Sequence, residues 1–164
     1  MSIGDSLLDY YSKKQIQSAY QNASYYKDKI FAIIFVKKDS INYNRLQVTL
    51  KPDDQNYEIF GLQGIVDFDK KIDECNKQKK IIIQDLEQAF SNFIRDDDDR
   101  PYAADPSGDS FSYTSWFFLN SGGFFSVSCT KMGDEVRKKN GWTDELSVAV
   151  TTKELEDFLR GNPY

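Results

Sequence analysis

The length, composition and charge of the chain exclude several classes of protein. The 164 residues suffice for one ordinary domain with a hydrophobic core, and an aromatic content of 15% excludes wholesale disorder. The chain contains no histidine, and this removes Ser-His and Cys-His catalysis as well as ordinary zinc chemistry. We therefore expect no enzyme, no cofactor and no metal site.

The chain also lacks the sequence signals of membrane insertion or export. No apolar run approaches the roughly 20 residues that a membrane-spanning helix needs. Residues 1–10 lack the basic start and the apolar core of a signal peptide. We therefore expect a cytoplasmic protein that has no membrane partner.

Apolar spacing in the first half predicts helices and three strands. Residues 5–26 have helical spacing, and Ser12 and Gln15 stand at the separation of a capping box, which predicts one helix or two short helices broken near Ser12. Residues 70–93 give the clearest helical pattern, although Lys79 interrupts its apolar face. Strands are predicted at residues 30–36, 45–51 and 57–68, with a turn at 37–44.

Residues 95–110 are the most charged segment of the chain. Six aspartates and two arginines give this segment a formal charge of −4, out of −5 for the whole chain. Because Pro101, Pro106 and Gly108 argue against a helix or a central strand, we predict a solvent-facing acidic loop between two folded halves. Such a loop is either a solvated connector or an electrostatic contact surface for a cationic protein.

The aspartate run does not match a calcium or nucleic-acid site. A calcium loop needs alternating acidic ligands and a central glycine, whereas Arg100 and Pro101 occupy the middle of this segment. The net negative charge repels phosphate groups, so we expect no nucleic-acid partner. The opposite alternative is a mimic of nucleic acid, whose carboxylates occupy the phosphate positions in the groove of a nuclease.

The second half is predicted to contain a hairpin, followed by a strand and a last helix. Residues 111–119 and 124–130 flank the turn sequence Asn-Ser-Gly-Gly, which is a strong hairpin signal. Residues 145–150 alternate as a further strand. Thr151 and Glu154 then predict a capping box for the last helix.

The two cysteines, Cys75 and Cys129, lie in apolar patterns far apart in the sequence. We predict two buried, reduced thiols, because a cytoplasmic compartment disfavours disulfides. The alternative is a disulfide, which would need the two backbones to lie within about 7 Å.

The order of the predicted elements indicates the fold class. A helix, three strands, a helix, a hairpin, a strand and a last helix follow one another without an internal repeat. We predict an α+β fold with one domain over residues 1–164, in which a mostly antiparallel sheet of about six strands is packed with helices.

The C-terminal third resembles the end of a known protein family. The resemblance rests on SWFFLNSGGFFSVSC at 115–129, GW at 141–142, DELSV at 144–148 and KELEDFL at 153–159. These segments look like the ending of small bacterial immunity proteins that accompany polymorphic toxins, including those of contact-dependent growth inhibition. The resemblance implies a cytoplasmic, non-enzymatic protein that binds the C-terminal domain of its cognate toxin, expected to be a basic nuclease, and occludes its active site.

We predict that the acidic loop and the aromatic residues beside it contact this partner. Alternation places Phe111, Tyr113 and Phe117 on one face of their strand and Trp116 and Phe118 on the other, so one set is exposed unless helices cover both faces. The predicted partner-binding residues are Asp96, Asp97, Asp98, Asp99, Tyr102, Asp105, Asp109, Phe111, Tyr113 and Trp116. The alternatives are a small enzyme that uses carboxylates and tyrosines, and a general protein-interaction adaptor domain.

Overall fold

The structure is a computed structural model that describes residues 1–36 and 43–161. Within these residues it has an α+β fold with four α-helices and an eight-stranded antiparallel sheet. The strands are β1 Ser24–Tyr25, β2 Ala32–Val36, β3 Arg45–Leu50, β4 Gly61–Asp67, β5 Phe93–Pro101, β6 Phe111–Leu119, β7 Phe124–Lys131 and β8 Glu145–Thr151. The helices are α1 Lys13–Tyr20, α2 Ile72–Ala89, α3 Asp134–Asn140 and α4 Lys153–Arg160.

The order of the strands in the sheet is β1-β2-β3-β4-β8-β7-β6-β5. The predicted α+β class is therefore confirmed, but the prediction of about six strands is wrong because β1 and β5 were not expected. Strand β1 has two residues, too few to show alternation, and β5 contains four aspartates, which are depleted in strands. Most of the predicted turn at 37–44 lies outside the described residues.

The chain forms two compact units, of which the first comprises residues 1–64, 121–124 and 149–164 and the second residues 65–120 and 125–148. Strands β4, β7 and β8 each have residues in both units. The organisation as one domain over residues 1–164 stays a prediction.

The first unit has an apolar core around α1 and strands β2 and β3. Ser12 caps α1 in the predicted capping box, in which the Gln15 side-chain oxygen accepts from the Ser12 backbone N–H at 2.9 Å. Ile16 projects from α1 into a cluster that includes Ile34 and Val48, and all three side chains are fully buried. Helix α1 is therefore held by one apolar stripe and one specific cap.

Helix α4 belongs to the same unit, and its start differs from the prediction. The capping residue is Thr152, whose hydroxyl accepts from the backbone of Leu155, so the predicted capping box of Thr151 and Glu154 is wrong by one residue. Thr151 ends β8 instead, and its hydroxyl accepts from the Phe124 backbone at 3.3 Å. By spacing alone, the hydroxyl of Thr151 was as good a candidate for this cap as the hydroxyl of Thr152.

The predicted hairpin of β6 and β7 is confirmed. Gly122 and Gly123 close the turn with φ of 87° and 81°, which residues with a side chain rarely adopt. A Cβ atom on Gly123 would also lie 2.5 Å from the backbone oxygen of Thr151. The buried carboxylate of Glu156 accepts from the Gly123 N–H at 2.7 Å, so α4 fixes this turn.

The second unit packs α2 on one face of β6, β7 and β8. Cys75 and Ile83 of α2 enter a core that contains Phe117, Val127 and Leu146. Because side chains alternate along a strand, the odd-numbered residues of β5 and β6 share the face on which α2 lies. We call this side of the second unit the α2 face and the other side the opposite face.

Cys75 and Cys129 form a disulfide that joins α2 to β7, so the prediction of two reduced thiols is wrong. Both residues are fully buried in the apolar core, as predicted. Their Cα atoms are 6.0 Å apart, a separation that allows the bond. The packing of α2 brought together two residues that lie 54 positions apart in the sequence.

A buried ion pair holds the connection between β7 and β8. The carboxylate of Asp144 accepts from the guanidinium of Arg137 and from the Met132 N–H at 2.9 Å. Arg137 also donates to the Met132 carbonyl oxygen at 2.9 Å. The side chains of Asp144 and Arg137 are only 2% and 12% exposed, so this pair exchanges few bonds with water.

Candidate protein-binding edge

Four consecutive aspartates lie on an edge strand rather than in a loop. Strand β5 lies at one edge of the sheet. All nine of its residues pair with β6, from Phe93 opposite Leu119 to Pro101 opposite Phe111. The predicted acidic loop is therefore wrong for residues 95–101. Pro101 does not prevent the strand because it is the last residue of β5, at the sheet edge, where proline is tolerated.

The register divides the four aspartates between the two faces. Asp97 and Asp99 lie on the α2 face, and Asp96 and Asp98 lie on the opposite face. The same register confirms the predicted division of the aromatic residues of β6, with the set at 111, 113 and 117 on the α2 face. Seven of the nine residues of β5 are exposed, so these charges meet solvent on both sides.

On the α2 face, Asp97 already bonds to other residues of the chain. It accepts from the Ser115 hydroxyl at 2.5 Å, and Arg95 lies 3.0 Å away and also pairs with Glu87 at 2.7 Å. Partial burial raises the pKa of Asp97, but the hydrogen bonds from Ser115 and Arg95 outweigh it and hold the pKa below its ordinary value. The guanidinium of Arg95 further lies 5.7 Å from the ring centre of Phe117.

Lys79 of α2 reaches the same face, and this explains why a lysine interrupts the apolar stripe of the helix. Its ammonium group donates to the backbone oxygen of Tyr113 at 2.7 Å. Burial lowers the pKa of Lys79, whereas the nearby carboxylates of Asp99 and Asp97 raise it and limit the shift. Sequence reasoning missed this contact, since a single lysine in an apolar pattern is the only signal of it.

The opposite face carries the less compensated charge. Asp98 pairs with the exposed Arg100 at 3.2 Å, and the described residues offer Asp96 no ion-pair partner. Asp96 stands opposite Trp116, whose ring stacks on that of Phe118 with centres 6.2 Å apart and planes at 10°. This face therefore places a carboxylate beside a flat aromatic pair.

The remaining predicted residues divide into a loop and its surroundings. Tyr102 packs edge-on against Trp142 at 6.4 Å between ring centres, and the rings of Phe111 and Tyr113 are 5.2 Å apart. Asp109 is exposed in the loop between β5 and β6. The structure thus brings the aspartates at 96–99 together with Tyr113 and Trp116, and leaves the other predicted residues around the end of the strand.

Asp105, one of the predicted contact residues, does not face solvent. Only 5% of the residue is exposed. Its carboxylate accepts from the backbone and hydroxyl groups of Ser107 at 3.0 and 2.7 Å, and from those of Ser110 at 2.9 and 2.6 Å. These bonds lower the pKa of Asp105 to about 2. These bonds show that Asp105 organises the loop at 102–110.

The lowered pKa of Asp105 predicts a loss of stability in acid. The carboxylate stabilises the fold fully above the pKa of the unfolded chain, near 3.8, and this contribution disappears as the pH falls through about 2. Unfolding in urea should therefore need less denaturant at pH 2.5 than at pH 5, and Asp105→Asn should reduce this difference. Asp109→Asn, in the same loop, is the matched control. An unchanged pH dependence in Asp105→Asn would contradict the assigned role.

Comparisons with protein-family models, with curated proteins and with solved structures give no match to this chain. Among the described residues, no helix has both the length and the apolar character that crossing a membrane requires. In the same part of the chain, acidic and cysteine side chains form no group of three that could hold a metal ion.

Proposed function

We propose that this protein binds a basic bacterial toxin domain, a nuclease, and neutralises it by covering its active site. The observation that carries the proposal is the row of four aspartates on the exposed edge strand β5. The resemblance of the C-terminal segments to immunity proteins supports the same function. No catalytic role is assigned to any residue in this proposal.

The geometry of β5 suits a partner with a phosphate-binding groove. Residues on one face of a strand repeat about every 7 Å, so Asp96 and Asp98 present two carboxylates in line. A groove that binds nucleic acid is lined with basic side chains, and carboxylates can occupy the positions of the phosphates. The opposite charges would also increase the rate of association.

Aromatic side chains next to the charges would supply the apolar part of the interface. Trp116 stands opposite Asp96, and Tyr113 stands opposite Asp99. Trp and Tyr are enriched among the residues that dominate binding energy, because they bury a large area and retain a polar group. We therefore expect charge to govern association and aromatic contact to govern dissociation.

The proposed place of action is the bacterial cytoplasm, where a nuclease toxin would meet its substrate. The disulfide between Cys75 and Cys129 opposes this placement, because thiols of cytosolic proteins are normally kept reduced. Trapping the thiols in lysed cells with an alkylating agent, followed by mass measurement, would separate the two states. Two alkylated cysteines would agree with the cytoplasm, and an intact bond would indicate an oxidising compartment.

The first test of the function is charge removal from the opposite face. Asp96→Asn with Asp98→Asn should slow association with the toxin domain about tenfold at low salt and flatten the salt dependence, because steering is lost. The dissociation rate should change little. The partner to use is the C-terminal domain of any toxin that the gene directly upstream encodes, with binding rates and protection of cells as readouts.

The control variant is Asp9→Asn with Asp85→Asn, which changes the net charge equally at exposed positions outside β5. It should bind like the parent protein. The proposal fails if the β5 variant protects cells fully and keeps the parent's salt dependence. A metabolic operon around the gene, without a toxin, would count against the function as a whole.

A further inference from the structure

We infer that β5 binds its partner by adding a basic strand of that partner to the edge of the sheet. This inference rests on the proposed function and specifies how the contact is made. It follows from the direction of the main-chain groups of β5, from the regularity of the strand and from its charge.

The hydrogen bonds at the two ends of the β5–β6 pair fix which main-chain groups point outward. At one end the Tyr102 N–H donates to the Ser110 oxygen at 2.9 Å, and at the other the Asn120 N–H donates to the Asn92 oxygen at 3.4 Å. Residues of an antiparallel pair alternate between facing the partner strand and facing away. The bonds at both ends therefore show that the even-numbered residues of β5 direct their N–H and C=O groups toward β6.

The odd-numbered residues of β5 consequently direct their N–H and C=O groups away from the sheet. These residues are Phe93, Arg95, Asp97 and Asp99, followed by Pro101, which has no N–H. Proline is tolerated in an edge strand where its missing N–H would face outward, so the position of Pro101 agrees with the assignment. Among the described residues, none bonds to these outward groups as a further strand.

The edge is long and regular, and this makes it able to accept another strand. The pairing of β5 with β6 continues over nine residues without a bulge. Natural sheets protect their edges by short strands, bulges, prolines or charges. In β5 the protection consists of charge along the strand and a proline only at its end.

The sign of the charge identifies the occupant. A second copy of β5 would bring two rows of four aspartates together, and like charges on neighbouring strands destabilise pairing. A strand with lysine or arginine at alternate positions would instead be attracted. Its basic side chains would lie beside Asp96 and Asp98, because Asp97 already bonds to Ser115 and Arg95.

A peptide of eight residues that alternates lysine and valine is the probe for this mode of binding. The control is the same sequence with its backbone nitrogens methylated, which keeps the charge and prevents strand pairing. Amide exchange is followed by NMR in the intact protein. In the free protein, the amides of Asp96 and Asp98 should exchange slowly and those of Arg95, Asp97 and Asp99 rapidly.

Addition of the unmethylated peptide should slow exchange at Arg95, Asp97 and Asp99 at least tenfold, and the methylated peptide should not. Equal, salt-dependent binding of both peptides would overturn strand addition while leaving the charge contact of the proposed function intact. Failure of both peptides to bind at millimolar concentration would also overturn it. Exchange in the free protein without the expected alternation would overturn the assignment of the outward groups.

A protein variant tests the same point with the toxin domain. Asp99→Pro removes an outward N–H and a charge, whereas Asp99→Asn removes only the charge. Strand addition predicts that the proline variant dissociates at least tenfold faster than the asparagine variant. Equal dissociation rates in two variants that keep the amide spectrum of the other strands would overturn it.

Discussion

Reduction of the Cys75–Cys129 disulfide should lower the free energy of unfolding by about 4 kcal/mol. The bond connects residues 54 positions apart, so it restricts a long loop of the unfolded chain. In the chain-entropy account, the cross-link changes the free energy of the folded state less than that of the unfolded chain. The reason is that packing already holds both cysteines buried at a distance that suits the bond. Small domains are stable by only about 5 to 15 kcal/mol, so this change is large.

The measurement is urea unfolding of the oxidised protein and of protein that was reduced and refolded with a reductant. The midpoint should move to a clearly lower urea concentration after reduction. Cys129→Ala is the control, since its stability should not depend on the reductant. Identical midpoints of the oxidised and reduced parent would contradict a stabilising cross-link.

The disulfide also links stability to the place where the protein acts. A reduced form that stays folded could neutralise a toxin in the cytoplasm, and a reduced form that unfolds could not. The unfolding curves and the alkylation experiment therefore both test whether the protein can act in a reducing cytoplasm. The bond matters for the proposed interface as well, because it holds α2, and α2 carries Lys79 to the β6 backbone beside β5.

The parts of the fold that were predicted correctly are those with strong local signals. The hairpin of β6 and β7 needed only alternation and two glycines with positive φ, and both are readable in the sequence. The capping box at Ser12 is equally local. Helix α2 was predicted at 70–93, and its last residues instead lead into β5, because Phe93 packs on Phe117.

The parts that were missed depend on distant residues. Aspartate has a low strand propensity, and β5 exists because its whole length can pair with β6 at an edge where charged side chains remain in water. The bonds of Asp105 need a loop that returns to Ser110. Likewise, the disulfide needs the packing of α2 on β7. Propensity and spacing contain none of this information.

The edge strand changes what the acidic segment can do. A flexible loop would offer charge alone, whereas a strand offers charge at fixed intervals together with main-chain donors and acceptors. It also separates Asp97, which has partners in the chain, from Asp96, for which the described residues offer no ion pair. The aspartates of the predicted contact set are therefore not equivalent to one another.

Removal of the Asp144 carboxylate should lower the free energy of unfolding by about 3 to 5 kcal/mol. Asp144→Ala leaves the guanidinium of Arg137 in a site that is 12% exposed, without its counter-charge, and leaves the Met132 N–H without its acceptor. A buried charge without its partner destabilises the fold, because water cannot replace the lost partner. The effect should extend to the loop at 102–110, because the adjacent Gly133 N–H donates to the Ser110 hydroxyl at 2.8 Å.

Asp157→Ala is the matched control, because it breaks the same type of pair at the surface. Asp157 lies 2.7 Å from Lys153, and the two side chains are 59% and 63% exposed. Exposed pairs contribute about 0 to 1 kcal/mol, so this variant should unfold at nearly the urea concentration of the parent. Similar losses in both variants would show that burial does not strengthen the Asp144 pair. A larger loss in Asp144→Ala, with faster amide exchange in the loop at 102–110, would identify the pair as the anchor that supports the end of β5.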